Sequence, residues 1–138
     1  MTTAKKILSK WFRILRLHGW AIELYEYPEV EFNLLAEEAA SVQYECTGYI
    51  QAYPLSLTAH ITVKEGQDEK TLDNTICHEC VHLASEPIDT FIQDLLAMVD
   101  NKALRERLTK EWETKREQVA ERLTRGLQNA LKEKPKCF

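Results

Sequence analysis

The stretch Thr75-Ile76-Cys77-His78-Glu79-Cys80-Val81-His82-Leu83 constrains this chain more than any other. It contains neither Gly nor Pro, and its polar and apolar residues separate at helical spacing. At about 100° per residue, His78, His82 and Glu79 fall within roughly 100° of one another, while Leu83, Ile76, Cys80 and Cys77 cover the other side. A chain carrying such a helix must supply a packed layer for one face and leave the other open to a cleft. The polar face reads His-Glu-x-x-His. By this spacing a helix offers two imidazoles to one zinc ion, with a carboxylate beside them as a base.

The same residues contain Cys77-x-x-Cys80, a spacing used by thiolate zinc pairs and redox pairs. Here the thiols point away from the imidazoles, and no second Cys-x-x-Cys follows to close a thiolate site. Cys77 and Cys80 therefore read as small buried hydrophobes.

The rest of the chain bounds the possibilities. A length of 138 residues suits one domain, taken as residues 1–134, with 135–138 as a frayed tail. Hydrophobic residues at 44% and charged residues at 29% are ordinary for a soluble globular protein. A net charge of −4 gives no overall basic footprint for nucleic acid, and no apolar run reaches membrane-spanning length. No signal-peptide pattern is visible, and the four cysteines do not form a disulfide framework. The expected compartment is the cytoplasm. Neither nucleic acid nor membrane is an expected partner, and the oligomeric state is not readable.

Residues 3–18 read as an amphipathic helix with Ile7, Leu8, Trp11, Phe12 and Leu15 inward, closed by Gly19 in a left-handed cap. Residues 20–27 alternate as a strand up to Pro28. Residues 29–40 fit a short helix or a carboxylate-rich loop. Residues 41–53 are β-prone, with Gly48 marking a bulge or turn. Residues 57–64 alternate again, with Leu57, Ala59, Ile61 and Val63 on one face and Thr58, His60 and Thr62 on the other. Together these predict an antiparallel sheet of about three strands. Asp73 is the expected N-cap of the motif helix. A further helix starts near Pro87. A long one runs from about 102 to 132, with Leu108, Trp112, Val119, Leu123, Leu127 and Ala130 as its packed stripe. The fold class is thus α+β.

Two imidazoles do not complete a catalytic zinc site, which takes three protein ligands and an open position. Ser85 and Ile88 rule out the class in which a third histidine follows closely. A carboxylate from another helix is the other known solution. Glu113, Glu117 and Glu121 lie one turn apart on the last helix, flanking the expected stripe. On spacing alone, that row is equally well a solvated, salt-bridged face.

His78-Glu79-Cys80-Val81-His82, followed by Glu117-Gln118-Val119-Ala120-Glu121-Arg122-Leu123, resembles the gluzincins. In particular it is similar to the small single-domain minigluzincins and related phage- or prophage-type metallopeptidases. The resemblance implies a zincin-like domain: an N-terminal helix, a small sheet, an active-site helix and a later glutamate helix. It also implies one zinc ion per chain and a peptide or protein substrate. In the family pattern the ligand glutamate precedes apolar residues two and six positions on. Glu117 matches through Val119 and Leu123, with Glu113 and Glu121 as fallbacks. The chain departs from the pattern in its two cysteines and in its longer interval between motif and glutamate.

The residues then support hydrolysis of a peptide bond, with Glu79 as general base and His78, His82 and Glu117 as ligands. His60 or Tyr53 are candidate oxyanion donors, as are Tyr44 and Tyr49, and Asp73 or Glu121 could orient the imidazoles. The alternative is a non-catalytic or latent zinc-binding interaction module on the same frame.

Overall fold

The computed structural model describes residues 1–40 and 46–132. Tyr44 and the tail from residue 133 lie outside them. Among the described residues the protein is a small α+β structure with five helices and three strands. It divides into two compact units, Met1–Leu83 and Ala84–Phe138.

The first unit begins with α1 (Thr3–Ile14), capped by the Thr2 hydroxyl, which accepts from the Lys5 N–H at 3.2 Å. The helix stops four residues earlier than its periodicity suggests. Arg16, not Gly19, takes the positive φ (54°) at its end, and this lets Leu17 turn back and become buried. β1 (Ala21–Tyr27) follows, and after Pro28 the chain enters α2 (Glu29–Ala40), so residues 29–40 are helix. β2 (Gly48–Tyr53) and β3 (Thr58–Lys64) form a hairpin. The unit closes with α3 (Glu69–Ala84), whose last residue belongs to the second unit.

The sheet is mixed, which corrects the antiparallel expectation. Its order is β1-β3-β2: β3 pairs antiparallel with β2 and parallel with β1. Alternation reports which residues face inward but says nothing of strand direction. The helical crossover through α2 makes the parallel pairing possible. Ala59, Ile61 and Val63 are fully buried as expected, whereas Leu57 falls in the turn before β3 and is 47% exposed.

The two faces of the sheet have different covers. Phe32 and Ala36 of α2 pack with Tyr49, joined by Tyr27, so α2 covers part of one face. Gly48 looks to the other face, in register with Val63, and a Cβ there would lie 2.5 Å from the Thr75 Cγ2. The absence of a side chain at Gly48 is what allows α3 to approach the sheet; it is neither bulge nor turn. α1 lies beside α3, because the Trp11 indole N–H donates to Asp73 at 2.9 Å and Lys10 donates to the same carboxylate.

The second unit contains α4 (Glu86–Ala97) and α5 (Lys102–Lys132). They are tied at Asp89, which accepts from the Trp112 indole at 2.6 Å, from Arg116 at 3.0 Å and from Gln93 at 3.0 Å. The predicted stripe of α5 is displaced. Val119 and Leu123 are 52% and 49% exposed, and Ala120 and Thr124 are the buried residues. Relative to Glu117, these buried positions lie at about 300° and 340°, where the expected stripe lay at about 200° and 240°. Glu117, itself exposed, thus lies next to the buried positions of its helix and not beside Val119 and Leu123.

Candidate metal centre

α3 starts a turn earlier than expected, and its cap is Asp68. That carboxylate accepts from the Thr71 N–H at 2.7 Å, which holds its pKa below the usual value. Asp73 instead lies inside the helix, about 140° and 180° around from His78 and His82. It accepts from Lys10 and Trp11 of α1. Its placement turns it away from the imidazoles, contrary to the expectation that it orients them.

The next turn of α3 is set by a polar network. The Gln67 amide donates to the carbonyls of Thr47 (3.0 Å) and Lys64 (2.7 Å), while its oxygen lies 3.1 Å from the Thr75 hydroxyl. The Thr75 and Thr47 hydroxyls lie 2.8 Å apart. This anchors the helix three residues before His78. No local pattern in the sequence marks Gln67 or Thr47, because the network joins segments 20 and 28 residues apart.

One turn on, His78 and His82 lie four apart and half-buried, with their rings edge-on at 4.7 Å. Their Nε2 atoms approach to 3.1 Å. Two ligands of a tetrahedral zinc ion at about 2.0–2.1 Å lie roughly 3.3 Å apart, so the pair has the spacing of one edge of that site. To bind a metal both rings must be neutral with the proton on Nδ1. Without metal, the same separation accommodates one Nε2–H donating to the other nitrogen.

Glu79 is buried, 8% exposed, between these histidines in sequence. Cys77 and Cys80 are fully buried and form no disulfide among the described residues. Burial, and then the charges of Cys77 and Glu79, push the Cys80 thiol far up. Fully enclosed and turned to the side of α3 away from the imidazoles, the two cysteines are packing residues, as expected.

His60 and Tyr53 are elsewhere. They lie on the face of the sheet away from α3, where the His60 ring meets Tyr25 at 5.5 Å and Tyr53 at 5.4 Å. The His60 Nε2 is 3.8 Å from the Glu23 carboxylate, which also accepts from the Tyr25 hydroxyl. That hydrogen bond raises the Tyr25 pKa. With the sheet between them and α3, neither His60 nor Tyr53 can donate to an oxyanion at the imidazole pair. Tyr49, in the cluster under α2, is likewise on that face.

In the second unit Glu113, Glu117 and Glu121 are all exposed. Glu121 is 3.9 Å from Arg125, one turn on. Glu113 lines a groove between α4 and α5 of about 310 Å³, with Trp112, Arg116 and Gln93. Among the described residues no helix is long and apolar enough to cross a membrane.

No family model, no curated protein and no solved structure matches this chain.

Proposed function

We propose that the protein is a zinc-dependent peptidase of gluzincin type with a zincin-like fold, acting in the cytoplasm on a peptide or protein substrate. The observation that carries this reading is the 3.1 Å approach of the two Nε2 atoms on one turn of α3. The burial of Glu79 next to them supports it, since a structural site needs no base.

His78 and His82 would hold one zinc ion, with Glu117 as the third ligand. Two imidazoles and a carboxylate make a donor set that could hold a metal ion. This set leaves the ion a net positive charge, and the bound metal supplies a lowered water pKa and an electrophile for the carbonyl. Glu79 takes the proton of the attacking water and returns it to the leaving amine.

Metal content and peptidase activity on a mixed peptide library test the reading. The wild type is expected to hold about one zinc per chain, as a mononuclear site requires. Glu79→Ala keeps the metal and loses hydrolysis. Glu117→Ala binds zinc about 10–100-fold or more weakly, as loss of a ligand costs at least as much as loss of its support. Full zinc affinity in Glu117→Ala removes that residue from the ligand set and returns the choice to Glu113 or Glu121. Zinc retained with no hydrolysis of any peptide favours the latent binding module instead.

A further inference from the structure

The β2–β3 hairpin ends in an apolar tip. Leu55 is fully exposed, and Tyr53 and Leu57 are about half exposed. Leu57 also holds a left-handed φ of 53°, an uncommon conformation for a bulky residue. Its carbonyl accepts the Ala21 N–H at 2.8 Å, which sets the tip beside the turn between α1 and β1. That turn carries the half-buried Trp20 and the exposed Arg16, the only other non-glycine residue with a positive φ among those described. Arg13, also exposed, stands on the last turn of α1.

Charge is distributed unevenly along the chain. The first 22 residues contain Lys5, Lys6, Lys10, Arg13 and Arg16 and no carboxylate side chain, a charge of +5 in a protein of net −4. Lys10 is bound to Asp73, and the other four are exposed. The first acidic residue, Glu23, is engaged by Tyr25 and His60.

Exposed leucines, flanking Trp and Tyr, and adjacent arginines match the layers of a bilayer surface. Acyl carbons take the leucines, the headgroup level takes the amphipathic rings, and anionic phosphates take the arginines. A nucleic acid would answer the arginines but leave Leu55 and Leu57 in water. We infer that this end of the first unit docks peripherally on an anionic lipid surface, with the hairpin tip inserted. Such a contact needs no membrane-crossing helix and is independent of the metal reading.

Cosedimentation of the full chain with vesicles tests this. Binding is expected to vesicles containing phosphatidylserine and not to phosphatidylcholine alone, and to weaken with salt. Leu55→Asp, at a fully exposed position that folding does not use, lowers partitioning about tenfold or more. Arg13→Gln with Arg16→Gln lowers it about tenfold and flattens the salt dependence. Leu55→Trp strengthens it. Circular dichroism of each variant establishes that the fold is kept. Absence of wild-type binding to phosphatidylserine vesicles overturns the inference. So does undiminished binding by Leu55→Asp, or preferential binding of a nucleic-acid duplex that Leu55→Asp leaves unchanged.

Discussion

The two units bury their apolar residues to very different degrees. In the first, Trp11, Phe32, Ile61, Val63, Ile76 and Leu83 are all fully enclosed, drawn from α1, α2, β3 and α3. In the second, α4 has no buried residue, and α5 buries only Ala120 and Thr124. The apolar residues of α4 are present but exposed: Ile88 and Phe91 are each 62% accessible. A sheet has two faces and can be covered by helices on both, whereas two helices share only one seam. Between α4 and α5, Asp89 accepts from both Trp112 and Arg116. The imidazole pair stands on the first unit, on a helix that buries eight of its residues.

The sharpest test of this difference pairs one deletion in each unit. Trp11→Ala removes a fully buried indole and its hydrogen bond to Asp73, and should cost about 3–5 kcal/mol in denaturant unfolding. Phe91→Ala should stay within about 0.5 kcal/mol. Equal losses would show that the contrast in burial carries no energetic weight.

Gly48→Ala comes next. The new methyl meets the Thr75 Cγ2, and the overpacking should cost about 1–3 kcal/mol. Thr75→Ser, which removes that methyl and keeps the hydroxyl, should recover much of the loss in a double-mutant cycle. Failure to recover it would place the strain elsewhere.

Asp89→Ala tests whether polar ties do for the second unit what apolar packing does for the first. It strips Trp112, Arg116 and Gln93 of one acceptor, and about 1–3 kcal/mol is expected from the donors left partly unpaired. A neutral result would mean that water replaces the carboxylate.

The smallest effect is expected at the Asp68 cap. Its folded pKa is lowered, first by the Thr71 N–H, so its contribution is present above the ordinary carboxylate value. That contribution disappears as pH falls through the lowered value. Asp68→Ala should therefore flatten the acid side of the stability curve, and an unchanged slope would show that the cap's charge is immaterial.

Much of the site was legible in the sequence because helical geometry is local. Two histidines four apart on a Gly- and Pro-free stretch converge whenever the stretch is helical, and the cysteines three apart must then turn elsewhere. The placement of Asp73 and His60 was not legible. Asp73 looked like a cap because Asp commonly caps, but Asp68 stood one turn earlier. His60 looked available to the site because alternation assigns a residue to a face without saying which helix covers that face. The Gln67–Thr75–Thr47 network joins the β2 entry, the turn after β3 and α3, and no single segment announces it.

By itself the sequence determined the α+β class, the extents of β1, β3 and α5 to within a residue or two, and the His78–His82 pair. All of these follow from spacing along a few consecutive turns or pleats. Tertiary structure alone decided that β1 runs parallel to β3, that Gly48 exists to admit α3, and that α5 buries Ala120 and Thr124 instead of Val119 and Leu123. Strand direction and the buried phase of a long helix depend on what packs alongside, and residues distant in the chain supply that information.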